Sequence, residues 1–283
     1  MNGIDISQHQ RGINLAAVPS DFVIVKASQG ASSSVYPTFK EQIEAADALG
    51  KCLGVYHYAS TGGAIAEAEK FLRTVDAYIG KAIMCLDWEK DQNVNFKNPE
   101  YAISWLKYVE QKTGIKPFIY MSKSVCRQYS GVWDASYPLW CAQYKLFAPK
   151  TYVDDPWTDT KGFGPWKSCT ILQYSSKGRL PGYNKKIDLD KAYITPSQWS
   201  EYASGKTIQI PNTSQNRPLL RKGSRNEYVL HWQMFLNQSG FPCGREDGIF
   251  GDKTERAVKQ YQMAHNLVPD GIIGPKTWST IFK

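Results

Sequence analysis

The sequence predicts an α/β fold: an irregular, TIM-like β/α barrel followed by a small, mainly helical C-terminal domain. Three observations carry this reading. About eight short apolar runs alternate with helix-like segments over roughly the first 200 of 283 residues. Such alternation builds a mainly parallel sheet, and eight strands suit a closed barrel. A polar stretch at 203–216 (ASGKTIQIPNTSQN) then breaks the pattern. Beyond it one motif occurs twice: Asp247-Gly-Ile-Phe-Gly-Asp-Lys-Thr254 returns 23 residues later as Asp270-Gly-Ile-Ile-Gly-Pro-Lys-Thr277.

The strands are expected at Gly3–Ser7, Phe22–Lys26, Leu53–Tyr58, Ile83–Asp87, Pro117–Met121, Leu139–Gln143, Thr170–Tyr174 and Lys186–Leu189. Helical spacing fills several gaps. Phe39, Ile43 and Ala46 fall on one stripe, Gly62–Ile79 is rich in Ala and Glu, and Ile103, Leu106 and Val109 follow the start signal Asn98-Pro99. Between Ala148 and Lys167 any periodicity gives way to Pro, Gly, Asp and Trp, which predicts a long irregular loop. The stretch 203–216 reads as a linker, so the barrel is expected over 1–202 and the second domain over 217–283. In that domain a helix is expected at Asn226–Gln238. Each repeat reads as a D-G turn leading into a helix, with capping-box spacing at Asp252-x-x-Glu255 and Pro275 at a first helical position.

Composition narrows the class. A hydrophobic content of 42% with 21% charged residues describes a soluble globular chain with ample core. Six cysteines show no C-x-x-C and sit mostly in apolar runs, as small buried hydrophobes do, which argues against a disulfide scaffold. The four histidines are scattered and carry no HExxH or other ligand spacing, so no metal site or cofactor is expected. No stretch reaches the roughly 20 apolar residues of a membrane span. The net charge of +8 is concentrated toward the end of the chain: ten Lys and Arg stand against six Asp and Glu from Arg217 onward. A basic chain favours anionic partners, but no nucleic-acid-binding motif is present.

The most informative stretch is Asp87-Trp88-Glu89, closing the run Ile83-Met84-Cys85-Leu86. Side chains alternate across a strand, so Cys85, Asp87 and Glu89 share one face and Met84, Leu86 and Trp88 the other. Two acids crowded in a mostly buried place raise one another's pKa, and desolvation raises both. One protonated and one ionised carboxyl is what glycosidic-bond chemistry needs. A solvated acidic turn at a strand end carries the same spacing, so the motif needs support. Support comes from the other strand ends, where barrels of this class keep their chemistry. In order they read Asp5, Lys26, His57 and Tyr58, Asp87 and Glu89, Tyr120, Gln143 and Tyr144, Gln173 and Tyr174, then Asp188. Four acids, one base and a ring of aromatics and amides make a carbohydrate cleft, although each Tyr also serves as plain rim packing and His57 equally as a structural histidine.

Gly3-Ile-Asp-Ile-Ser7, Phe22-Val-Ile-Val-Lys-Ala-Ser-Gln-Gly30, Gly54-Val-Tyr-His-Tyr58, Leu86-Asp-Trp-Glu89, Leu139-Trp-Cys-Ala-Gln-Tyr144 and Leu172-Gln-Tyr-Ser-Ser176 together resemble glycoside hydrolase family 25, the lysozyme family common among phage endolysins and bacterial autolysins. Residues 217–283 resemble the peptidoglycan-binding domain attached to many wall hydrolases, through Asp-Gly-x-x-Gly-x-x-Thr. The resemblance implies hydrolysis of the β-1,4 bond between N-acetylmuramic acid and N-acetylglucosamine in bacterial peptidoglycan. It implies Glu89 as general acid, Asp87 as its partner, and Asp5 and Asp188 as the rest of an acidic floor. The same motifs add Tyr56 and Trp140 to the substrate-lining set of Lys26, His57, Tyr58, Tyr120, Gln143, Tyr144, Gln173 and Tyr174. Two departures stand out: Asp190 and Lys191 follow Leu189 where the family usually shows Asn and a hydrophobic residue, and Trp232 replaces an expected Leu. Both are expected to affect only local packing and subsites, without touching the acids.

Spacing leaves the stereochemistry open. Residues two apart on a strand lie about 6.7 Å apart at the backbone, and rotamers spread their carboxyls across both the retaining and the inverting windows. The resemblance favours retention assisted by the substrate's own N-acetyl group, with Asp87 orienting that amide. The expected partners are peptidoglycan glycan strands, together with anionic wall polymers, and neither nucleic acid nor membrane. The start of the chain has neither a basic n-region nor an apolar h-region. That predicts synthesis in the cytoplasm without a signal peptide and action on the wall after membrane permeabilisation, as in an endolysin. A bacterial autolysin and a non-catalytic wall-binding protein are the alternatives.

Overall fold

A computed structural model describes residues 1–31, 36–145, 148–205, 218–244 and 247–280. They form two compact units, Met1–Ile208 and Gln209–Lys283.

The first unit is a closed eight-stranded barrel in chain order. Its strands are β1 (Asn2–Ile6), β2 (Phe22–Gln29), β3 (Cys52–Tyr58), β4 (Ala82–Asp87), β5 (Phe118–Ser122), β6 (Leu139–Ala142), β7 (Ile171–Leu180) and β8 (Tyr183–Ala192). β1 to β7 run parallel to their neighbours, whereas β8 pairs antiparallel with both β7 and β1. The last two strands are therefore a long hairpin, rather than the short parallel strands expected at Thr170–Tyr174 and Lys186–Leu189. Because β8 runs the other way, Asp188 is not at a carboxyl end. It reaches the level of the other acids from mid-strand.

Helices cover the barrel unevenly. The stripes read in sequence become α1 (Phe39–Ala48), α2 (Ala64–Val75) and α3 (Pro99–Thr113), and only the short α4 (Lys123–Gln128) follows β5. The long connection after β6 carries no helix among its described residues, only a bridge between Phe163 and Trp166. Period-two alternation sorts the strand residues into two cores. Ile4, Val23, Val55, Met84, Leu86, Ile119, Cys141, Leu172 and Leu189 face outward to the helices and loops. Phe22, Ile24, Tyr56, Ile83, Cys85, Phe118, Tyr120, Trp140 and Ile171 fill the barrel. α5 (Pro196–Ser204) lies below, where Trp199 packs on Phe22 at 4.7 Å and donates to Leu53 O at 2.7 Å. This helix runs into the stretch expected to be linker, with Ala203 buried in the barrel core. The rest of that stretch, 206–216, lies outside the described residues. All six cysteines are free thiols.

The second unit holds α6 (Glu227–Gln238), α7 (Asp252–Ala264) and α8 (Pro275–Trp278) around Leu220, Val229, Trp232, Leu236, Phe250, Val258, Tyr261, Ile273 and Trp278. The sequence repeat is a structural repeat with a cause. Gln233 sends its amide N–H to Asp247 Oδ1, Ile249 O and Thr254 Oγ1, while its carbonyl accepts from the backbone of Asp247 and Gly248. Gln262 repeats this with Asp270 Oδ1, Ile272 O, Thr277 Oγ1 and the Gly271 backbone. The capping box expected at Asp252-x-x-Glu255 does not form. Gly251 is the N-cap, Asp252 pairs with Lys222, and Glu255 pairs with Lys259 at 2.7 Å. Trp232 fills the centre of this core, edge-on to Tyr261 and Trp278.

Candidate active site

The inward positions at the barrel mouth hold the acids. Asp87 closes β4, where strand pairing ends, and Glu89 follows just beyond it. Trp88, between them, turns outward into the core and stacks between Phe96 and Tyr101. That anchor fixes the alternation and holds both carboxyls on the inner side. On β1, Asp5 faces inward two residues beyond Gly3, which pairs with Asp190 on β8. A Cβ on Gly3 would strike the Phe22 ring at 2.4 Å, so glycine here leaves room for the core directly beneath the acids. Two residues back along β8 from Asp190 comes Asp188, on the same face.

The network around these groups is dense. Gln173 on β7 donates to Asp5 Oδ2 at 2.6 Å, and its carbonyl accepts the hydroxyls of Tyr120 (2.6 Å) and Tyr144. The Tyr120 hydroxyl also acts on Glu89, favouring its ionised form. Lys26 lies between the rings of Tyr58 (4.3 Å) and Tyr36 (4.9 Å) and donates to Gln29 Oε1 at 2.8 Å. Its charge acts on Asp87 and Glu89.

Crowding and burial push every acid the same way. Asp87 is held well above the usual carboxylate range by burial first and then by Glu89 and Asp5, with Lys26 opposing. Glu89 rises through burial and Asp91, against Lys26 and the Tyr120 hydroxyl. Asp5 rises through burial, Asp190 and Glu89, and Asp188 is pushed up to about 8 by burial, Asp5 and Glu89. Burial in turn lowers Lys26. Glu89 and Asp188 are partly exposed, and Glu89 borders a cleft of about 420 Å³ lined by Trp88, Lys90, Asp91, Phe96, Ser122 and Gln128, among others. Asp87 is buried, and no hydrogen-bond partner reaches its Oδ1.

Not every residue singled out from the sequence joins this mouth. Lys26, Tyr56, Tyr58, Tyr120, Tyr144 and Gln173 do. His57 does not: at an outward position on β3 it is fully buried, bonded to Ser28 Oγ (2.8 Å) and Glu67 Oε2 (2.9 Å) and stacked on Trp105. Tyr174 also points outward, its hydroxyl accepting from Val153 N at 3.1 Å. Gln143 spends its amide on Asp159, which Lys123 pairs at 3.0 Å, and so braces the long loop. Trp140 faces inward but lies below the surface, donating from Nε1 to Asp190 Oδ1 at 2.8 Å. The expectation that Asp190 leaves the acids alone is also corrected, because its carboxyl lies within hydrogen-bonding reach of Asp5. The alternation that joined Asp87 to Glu89 applies equally to Asp188 and Asp190, and that signal marked it. Among the described residues no cluster of three or more His, Cys, Asp or Glu is arranged to hold a metal ion, and no helix is long and apolar enough to cross a membrane.

The profile of glycosyl hydrolases family 25 matches residues 4–183, and that of a peptidoglycan binding domain matches residues 225–281. The chain belongs to glycosyl hydrolases family 25. The autolytic lysozyme of Clostridium acetobutylicum is 26% identical over 282 residues, covering 98% of this chain and 77% of that one. Protein YegX of Escherichia coli O6:H1 is 30% identical over 215 residues, or 72% of this chain and 74% of its own. The fold is that of the bacterial lysozyme of Streptomyces coelicolor (TM-score 0.60, 20% identity, 73% of this chain and 98% of that one). The catalytic domain of endolysin ply40 from Listeria monocytogenes bacteriophage P40 matches similarly (TM-score 0.59, 22% identity, 73% and 98%). This is a glycosyl hydrolase of the lysozyme, or muramidase, type, joined to a peptidoglycan-binding domain.

Proposed function

We propose that this family 25 enzyme cleaves the β-1,4 bond from N-acetylmuramic acid to N-acetylglucosamine, with Glu89 as general acid. The observation that carries the reading is the convergence of Asp5, Asp87, Glu89 and Asp188 at one mouth, where Glu89 borders a cleft of about 420 Å³. The leaving oxygen must be protonated as its bond breaks, so the acid must keep a proton near neutral pH. Burial and the nearby Asp91 do that for Glu89, against Lys26 and the Tyr120 hydroxyl. Positive charge develops on the sugar in the oxocarbenium-like transition state, and the Asp87 carboxylate, with Lys26 favouring its ionised form, stabilises it.

Asp87 has a separate role. By the resemblance to family 25, its carboxylate accepts an N–H from the substrate's N-acetyl group. Holding that amide aims its carbonyl oxygen at the anomeric carbon and gives retention of configuration. Lys26 keeps part of the acid set ionised, and Tyr58 and Tyr144 present aromatic and hydroxyl surface at the rim.

The C-terminal unit binds the wall and raises local enzyme concentration by tethering, with anionic wall polymers as further partners of its basic surface. Lysis of a host cell, as by an endolysin, is the biological role proposed. An autolysin acting on its own cell wall is the alternative, and expression timed to phage late genes separates the two. Digestion of purified peptidoglycan tests the chemistry. New N-acetylmuramic acid reducing ends, identified by mass spectrometry, support the assignment. N-Acetylglucosamine ends make the enzyme a glucosaminidase, and free amines point to peptide cleavage.

A further inference from the structure

Asp190 is fully enclosed on β8, and its Oδ1 takes the indole N–H of Trp140 at 2.8 Å. No donor reaches its buried Oδ2. What lies within hydrogen-bonding reach is the carboxyl of Asp5, itself buried and supplied with one donor, Gln173 Nε2 at 2.6 Å. Two carboxylates in contact at this depth repel, and a buried oxygen without a donor costs about 1–3 kcal/mol. A single proton resolves both faults. We propose that Asp5 and Asp190 share one proton, carried on Asp5, and that Asp190 is a positioning residue that keeps the Asp5 carboxyl neutral beneath Glu89.

The surroundings choose which member carries it. Asp5 interacts with Asp87, which Lys26 helps keep ionised, whereas Asp190 takes the Trp140 N–H on its Oδ1. A negative neighbour on one member and a donor on the other favour the proton on Asp5. The other titratable groups that face the pair are phenols: Tyr56 and Tyr144 on the Asp5 side, Tyr152 and Tyr174 on the Asp190 side, and Tyr120 through Gln173. All are held above their ordinary range and stay neutral. Lys26, the nearby cation, acts on Asp87 and Glu89. The pair thus places its negative charge on Asp190, two residues deeper than Asp5. Charge on Asp5 would hold the general acid protonated to higher pH.

This rests on Glu89 as the general acid, and the test keeps the two apart. The pH profile of kcat/KM on soluble peptidoglycan fragments is measured for the full chain, for D190N, for D5N and for Trp140→Phe. Asn at 190 still accepts from Trp140 and now donates to Asp5, which becomes an anion. The alkaline limb should then rise by about one pH unit. Asn at 5 mimics the protonated acid, so the limb should stay where wild type has it, whatever the maximal rate. Trp140→Phe weakens the anion on Asp190, shifts charge toward Asp5 and should raise the limb by less. The proposal is overturned if D190N and Trp140→Phe leave the limb in place, or if D5N lowers it. Infrared difference spectra of wild type against D190N at neutral pH read the same proton without turnover: loss of a protonated-carboxyl band supports sharing, and an unchanged band refutes it. A wrong choice of general acid shows separately, as retained activity in E89Q.

Discussion

Gln173 donates to Asp5 at 2.6 Å while accepting Tyr120 at 2.6 Å, so one amide on β7 couples the acid of β1 to the phenol of β5. All three side chains are buried. Replacing Gln173 by Leu removes the amide donor from Asp5 and the shared acceptor from Tyr120 and Tyr144. We expect a loss of about 1–3 kcal/mol in chemical denaturation and about a 10- to 100-fold fall in kcat/KM. Unchanged kinetics in a fully folded variant would show that the amide is only packing.

Asp188 gives a pH signature of opposite sign to the usual carboxylate. Its folded pKa, about 8, lies above the unfolded value. Between about pH 4 and 8 the folded state therefore binds more protons than the unfolded one, and stability falls as pH rises through that window. The barrel should melt at higher temperature at pH 5 than at pH 8. Asp188→Asn should flatten the slope and gain about 1–3 kcal/mol at pH 8 at the expense of activity. A slope that survives the substitution assigns it to another group.

His57 separates structural from functional reading of one motif. It bonds Ser28 and Glu67 behind the sheet. His57→Ala should cost about 2–4 kcal/mol through the cavity and the stranded Glu67, with kcat per folded molecule within about twofold. A selective rise in KM, without destabilisation, would return His57 to the substrate rim.

In the C-terminal unit, Asp247, Thr254, Asp270 and Thr277 are committed to Gln233 and Gln262. Gln262→Leu should unfold this unit and abolish wall pelleting while sparing hydrolysis of short soluble fragments. If instead wall binding is lost with the unit's circular dichroism intact, the motif contacts the ligand directly.

Much of this was legible in the sequence because period-two alternation is local. It placed Asp87 inward and Trp88 outward, and the ordered strand ends assembled Asp5, Lys26 and Tyr120 around them. Three features were less accessible. The reversal of β8 depends on the pairing of Gly3 with Asp190, a contact 187 positions apart in the chain. His57 and Tyr174 followed tyrosine-rich motifs, but strand parity sends both outward. The buried glutamines of the second unit lie outside the repeated motif, so only the fold shows that its Asp and Thr residues are structural.

The most direct test is Glu89→Gln in the full chain, assayed in parallel for reducing-end release from purified walls and for wall pelleting. Loss of at least about 100-fold in rate with unchanged pelleting is the predicted result. Glycan cleavage near the wild-type rate in that variant would contradict it.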